Sequence, residues 1–280
     1  MMKMIMKATL AAGTLMSATM LANADFDAET EKKFDAVLAG KHRSEGNVAR
    51  DKYRHPKETL EFFGVKPDMT VVEIWPGSYY TEILAPFLRE EGKYVAAVSS
   101  AVNGSARARR GMAGYLNTLV EKDDVLGATH VSEFTYPDSL TTVPAGTADM
   151  VLTFRNVHNW MGAKAEYGIL SAAFKALKPG GILGVVEHRL DGGEGVEEGQ
   201  NARRGYVREG YVIEVARSLG FEVVDASDAN ANPKDNKNHP RGVWTLPPRF
   251  ALGDQDREKY AAIGESDRFT LKFKKPEQTR

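Results

Sequence analysis

From Thr70 onward, short apolar runs of strand length alternate with amphipathic helical stretches. That alternation predicts an α/β fold, a doubly wound and mostly parallel sheet with helices on both faces. Glycine and proline stops fall between the runs, at Gly64, at Lys178-Pro179-Gly180-Gly181 and at Gly220. The length of 280 residues supports one large core better than two. Ligands in such sheets bind beyond the carboxyl ends of the strands, where the strand order reverses. The residues following Ile74, Val98, Phe154 and Glu187 are therefore the ones to weigh for function.

The elements follow in order. A charged amphipathic helix is predicted over Ala28 to Leu38, then a basic polar stretch from Lys41 to Arg54. A second helix starts at His55-Pro56, with proline at the tolerated first-turn position, and ends at Gly64. Thr70 to Ile74 reads as a buried strand, and Tyr79 to Arg89 as a helix bent at Pro86. Strands are predicted at Lys93 to Val98, Thr129 to Phe134, Asp149 to Phe154, Ile182 to Glu187 and Phe221 to Ala226. Helices are predicted at Ala106 to Val120, Ala165 to Leu177 and Glu209 to Leu219. Asn230 to Pro248, polar and rich in Asn and Pro, reads as a long surface loop. Arg268 to Lys274 alternates apolar and basic residues, so it reads as a half-exposed antiparallel strand.

The first 24 residues read as a secretory leader. Lys3 and Lys7 form the basic end, Ala8 to Leu21 the apolar stretch, and Ala22-Asn23-Ala24 the cleavage site before Asp25. Export to the periplasm or the medium is the expectation, with no stable membrane span after cleavage. Loss of the leader takes the formal charge from −1 to −3. No strong field for nucleic acid follows from that balance. The chain has no cysteine, which excludes thiol catalysis and cysteine-ligated metal. Its six histidines lack H-x-H or H-x-x-x-H spacing, so no metal site is expected.

Three segments in order carry a family resemblance. They are Val71-Val72-Glu73-Ile74 followed by a glycine turn and Tyr79 to Ala85, the Asp149 strand running into Phe154-Arg155-Asn156-Val157-His158-Asn159-Trp160, and Ala176 to Leu183. Together they resemble the class I S-adenosylmethionine (SAM) methyltransferases over Pro56 to Lys274. The E-I-W-P-G turn and the H-N-W segment resemble, more narrowly, a group of predicted exported bacterial methyltransferases. The resemblance implies a seven-stranded Rossmann-like methyltransferase fold in the order 3-2-1-4-5-7-6, strand seven antiparallel, with SAM over the tips of strands 1, 2 and 4. It divides the chain into a signal peptide (1–24), an N-terminal helical extension (25–55) and a methyltransferase-like domain (56–280).

The family's glycine-rich turn after strand 1 is altered here. Glu73 matches the acid and Gly77 the middle glycine, but Trp75 replaces the first glycine and Pro76 stiffens the turn. Either Trp75 or Tyr79 covers part of the cofactor, or the turn has degenerated and Trp75 packs in the core. Strand 2 ends in Val98-Ser99-Ser100 without the acid that holds the ribose in relatives. A neutral bond from serine replaces a charged one there, a fall from about 1.5–3 to about 1 kcal/mol. That is about tenfold in affinity.

The resemblance carries cofactor binding to Glu73, Trp75, Gly77, Tyr79, Ser99, Arg155 and Asn156. His158 is the first candidate for a general base, and its competing role is to cap the next helix. His188, at the tip of strand 5, is the second. Asn159, Trp160, Arg189 and Tyr206 are the candidates for substrate binding. His55 with Arg54 and Tyr53 could form a lid, and the competing reading is a helix cap with solvated charge. The function expected is SAM-dependent methyl transfer to a small-molecule or envelope acceptor. The alternative is a non-catalytic exported ligand-binding protein on a degenerate methyltransferase fold.

Overall fold

The computed structural model describes residues 26–100, 105–191 and 198–277. The leader and its cleavage site lie outside the described residues. Eight strands form one sheet: β1 Thr70–Ile74, β2 Lys93–Val98, β3 His130–Glu133, β4 Ala148–Phe154, β5 Leu177–Leu190, β6 Val207–Arg208, β7 Glu222–Ser227 and β8 Arg268–Lys274. Their order is β3-β2-β1-β4-β5-β8-β7, with the two-residue β6 paired to the end of β5. β8 runs antiparallel to both β5 and β7, while β1 to β5 pair in parallel. The expected order is therefore present, with one extra short strand ahead of the last two.

The sheet divides two apolar layers because alternate strand residues point to opposite faces. Val72 and Ile74 join Val151, Leu183 and the helix Glu166–Ala176 on one face. Val71 joins Leu84, Phe87, Tyr94 and the helices Ala28–Leu38 and Pro56–Phe63 on the other. Glu73 shares the face of Val71 and is buried there. The order reverses between β1 and β4, which puts the switch point at the residues after Ile74 and Phe154.

Four expectations are revised. Lys41 to Arg54 holds two short helices, Glu45–Val48 and Asp51–Arg54. They are pinned by buried polar contacts: Arg43 grips Asp51 through two nitrogens at 2.6 and 2.8 Å. Glu82 accepts from Asn47 Nδ2 at 2.8 Å and Lys122 Nζ at 2.6 Å. β5 begins at Leu177, earlier than expected, because the Lys178-Pro179-Gly180-Gly181 stop is extended and pairs through Gly180 and Gly181 with Lys275. β8 is buried rather than half exposed, since it lies inside the sheet between β5 and β7. Its basic residues have their own partners: Lys272 donates to the Phe62 carbonyl and Arg268 to the Tyr53 carbonyl.

Asn230 to Pro248 is the fourth revision. The segment is packed, with Asn230, Asp235, His239, Thr245 and Leu246 buried. Asp235 organises it by accepting from the Tyr206 hydroxyl, His239 Nε2 and the Asp267 N–H. Gly242 is required there, because its φ is 56° and a Cβ would stand 2.1 Å from the Arg204 carbonyl. The segment thus folds back toward the sheet and carries Trp244 to the carboxyl end of β4. Among the described residues no helix is long and apolar enough to cross a membrane.

Candidate functional site

The residues just after β1 and β4 both have left-handed backbones, Trp75 with φ 51° and Arg155 with φ 62°. A non-glycine residue there costs of order 1–3 kcal/mol, and such strain clusters at functional sites. Neighbours hold both in place. The Trp75 N–H donates to the Ala97 carbonyl and its Nε1–H to the Phe134 carbonyl. The Arg155 N–H donates to the Val186 carbonyl at 2.7 Å. Asn156 Nδ2 then ties the two tips together, donating to the carbonyls of Ile74 at 3.0 Å and Trp75 at 3.4 Å.

Glu73 sits under this turn rather than in the cleft. It is 2% exposed and accepts from the Tyr94 hydroxyl at 2.6 Å. Burial pushes its carboxyl up to about 8, against smaller opposing effects from Tyr94, Arg155, Arg54 and the Gly77 N–H. Gly77 has an ordinary φ of −110°, and a Cβ there would meet nothing within 4 Å. The space beside the turn is open.

A first cavity, of about 420 Å³, opens over the tips of β1 and β2. Trp75, Pro76, Ser99, Met112 and Tyr115 are among its lining residues, none of which is charged. Its size falls in the usual range for small-molecule sites. Beside it, Ser100 Oγ donates to Glu133 Oε2 at 2.8 Å. The acid absent from the end of β2 thus has a neighbour on β3. Sequence reasoning missed it, because pairing across strands is invisible along the chain.

A second cavity, of about 580 Å³, opens over the tips of β4 and β5. Arg155, His158, Asn159 and His188 form one wall, and Arg241, Trp244 and Arg249 form another. His158 Nδ1 lies 3.1 Å from Glu187 Oε1. Glu187 also accepts from the backbone N–H groups of His158 and His188 at 3.2 and 2.8 Å. A carboxylate opposite Nδ1 can only accept, so Nδ1 donates to it and Nε2 is the ring atom left to exchange a proton. His188 Nδ1 meets the Ser266 hydroxyl. Burial, then the charges of His158, Arg155, Arg268 and Arg54, hold the His188 pKa well below the ordinary histidine value, so that ring is neutral.

His158, Glu187 and His188 bring three ligand-type atoms within 4.8 Å of one another, a cluster that linear spacing did not reveal. The donor set fits a hydrogen-bonded network better than a metal centre. Glu187 already accepts from three donors, and the cations Arg155, Arg241 and Arg249 line the same cavity.

Four expected residues are placed elsewhere. Tyr79 donates from its hydroxyl to Asp51 at 2.6 Å, beneath the Arg54 guanidinium. Trp160 is fully buried, edge-on to Trp75 with ring centres 6.3 Å apart. Tyr206 is buried on Asp235, and Arg189 pairs with Asp228. Each has a structural partner in place of a cavity face. The lid reading of His55 and Arg54 gives way likewise, since Arg54 is buried in an ion pair with Glu265.

No protein-family model and no curated protein matches the sequence. Solved structures do match its fold. A SAM-dependent methyltransferase from Aquifex aeolicus is 16% identical, with a TM-score of 0.52 over 90% of this chain and 100% of that one. A geranyl diphosphate methyltransferase in complex with SAM is 11% identical, with a TM-score of 0.53 over 86% of this chain and 94% of that one. The (4+2)-cyclase SpnF is 17% identical, with a TM-score of 0.53 over 89% of this chain and 93% of that one. At these identities the likeness shows the fold alone, which is the Rossmann-like methyltransferase fold. A cyclase among the neighbours shows that this fold hosts other chemistry.

Proposed function

We propose that this chain is an exported SAM-dependent methyltransferase of a small-molecule or envelope acceptor. The observation that carries the reading is the pair of cavities at the β1/β4 switch point, one uncharged over β1 and β2 and one polar over β4 and β5. The uncharged cavity suits an adenosine moiety, with the Trp75 ring as its wall and Ser99 and the Ser100–Glu133 pair as polar groups near a ribose. The open space beside Gly77 admits a close approach to the turn.

SAM, when bound, supplies an electrophilic methyl group whose carbon–sulfur pair returns to sulfur as the acceptor's lone pair takes the carbon. The chain supplies alignment and a base. His158 Nε2 takes the proton of the acceptor's nucleophile, while Glu187 fixes the ring and stabilises its charged form. Trp75 and Trp244 exclude water from the two sides.

A second reading has its own support: Glu73 is buried and bonded to Tyr94, so it does not offer the cofactor's amine a free carboxylate. On that reading the protein holds another ligand without turnover. Calorimetric titration with SAM and S-adenosylhomocysteine separates the two. Micromolar binding of both supports the methyltransferase, and no binding of either at millimolar concentration overturns it.

A further inference from the structure

The two cavities differ in charge. Among the described residues, the first has no ionisable lining group except the Tyr115 phenol. The second gathers three guanidinium groups, those of Arg155, Arg241 and Arg249. Among the described residues, no carboxylate lies within ion-pairing distance of any of the three. Arg241 and Arg249 are exposed at the cavity mouth, but Arg155 lies deeper, and an arginine is seldom drawn inward without a partner because an uncompensated charge loses solvation. Arg155 is the clearest case. It is partly buried, its backbone is held in a left-handed conformation, and its side chain donates no hydrogen bond within the described residues.

One carboxylate does line the cavity, that of Glu265. It is already committed to three other arginines: Arg50 Nε at 2.5 Å, Arg54 Nε at 3.3 Å and Arg268 Nη1 at 3.2 Å. These cations do not relieve Arg155 but crowd it. Burial and the charges of Arg54, Arg268 and Arg50 push its pKa well below the ordinary arginine value, against the pull of Glu265. His188 is neutral, and Glu187 behind His158 and His188 adds one further negative charge, so the arginines still outnumber the carboxylates around the cavity. The field at the cavity is therefore positive, which disfavours a cation and leaves a neutral ligand unable to compensate it. The remaining wall is apolar and aromatic, with Trp244 edge-on to His158 at 6.0 Å and Pro247 and Pro248 beside it.

We propose that this cavity binds an acidic small molecule, its carboxylate or phosphate clamped by Arg155, Arg241 and Arg249 and its apolar body laid against Trp244. Planar guanidinium forks match both oxyanions, and several converge here on one site. The acceptor of the proposed reaction is then an anion. That last step rests on the methyltransferase reading, whereas the anion site itself stands without it.

The test is calorimetric titration of the purified protein with four probes of similar shape: phenyl phosphate, benzoate, benzyl alcohol and benzylamine. The anions are expected to bind at least about tenfold more tightly than the alcohol or the amine. The ratio of phenyl phosphate to benzoate tells which oxyanion the site prefers. Arg241→Ala and Arg249→Ala change exposed side chains, so the fold should survive them, and each should weaken phenyl phosphate about tenfold. Arg155→Gln should weaken it more. Equal binding of alcohol and anion, or arginine variants that bind phenyl phosphate undiminished, would overturn the proposal. S-adenosylhomocysteine is titrated in parallel. Anion binding without it fells the methyltransferase reading and leaves the anion site standing. Its binding without any anion preference does the reverse.

Discussion

His158 Nδ1 and Glu187 Oε1 lie 3.1 Å apart, both buried, at the mouths of adjacent strands. The pairing leaves Nε2 as the base and fixes the ring. Glu187→Gln is expected to keep the fold but offer the ring an amide that can present its N–H in place of an acceptor. The rate of label transfer from SAM to an acidic acceptor should fall about 10²-fold or more, the usual size of a general-base contribution. S-adenosylhomocysteine affinity should not change. Loss of rate and cofactor affinity together would mean that Glu187 supports the fold and not the base.

Glu73 gives a pH signature. Its carboxyl is held at about 8 when folded and at 4.5 when free. Between those values the unfolded chain has lost a proton that the folded chain retains. Stability therefore falls as pH rises from 4.5 to 8, with a slope approaching 1.4 kcal/mol per unit. Glu73→Gln removes that slope and is expected to raise the stability relative to wild type above pH 7. Urea unfolding at pH 5 and pH 8 checks it, and a larger loss for the variant at pH 8 would contradict it.

Glu265 has the opposite sign. Arg54, Arg268 and Arg50 outweigh its burial and hold its carboxyl at about 2, below 4.5. Its contribution is full above 4.5 and is lost as pH falls toward 2. By linkage that is about 3 kcal/mol. Glu265→Gln leaves three arginines uncompensated and should cost about 3–5 kcal/mol at neutral pH. Acid unfolding of the variant, followed by circular dichroism, should then lack the wild type's steep loss in that window.

The parallel strands were legible in the sequence because strands buried on both faces are nearly continuous apolar runs. Thr70–Ile74 and Lys93–Val98 match their expected bounds for that reason. β8 was legible as a strand but not as a buried one. Its alternating basic residues look solvated until Arg268 and Lys272 are seen donating to the carbonyls of Tyr53 and Phe62, 215 and 210 residues earlier in the chain. The wall of Arg241, Trp244 and Arg249 was not legible at all. It lies in a polar segment without periodicity, and what orders that segment is Asp235, whose donors Tyr206 and Asp267 are about thirty residues away on either side. The places of His158 and His188 at the carboxyl edge of the sheet were legible, because each follows an apolar strand run. Tyr79, Trp160 and Tyr206 were misplaced because an aromatic beside a turn satisfies its polar atom or its apolar face wherever packing allows.

Trp75 tests the altered turn directly. A glycine at its left-handed backbone would relieve about 1–2 kcal/mol of local strain. It would also remove the bond to the Phe134 carbonyl and the contact with Trp160. Loss of a large, partly buried aromatic costs more than the strain, so Trp75→Gly should lower Tm despite its easier backbone. Trp75→Phe keeps an aromatic wall and loses only the Nε1–H bond, a change of about 1 kcal/mol. The two variants then separate the ring's roles. If the ring is a wall of the cofactor site, S-adenosylhomocysteine binding falls about tenfold in Trp75→Gly and is largely kept in Trp75→Phe. If binding is unchanged in both while Tm falls, Trp75 is a packing residue, and the turn holds nothing over it.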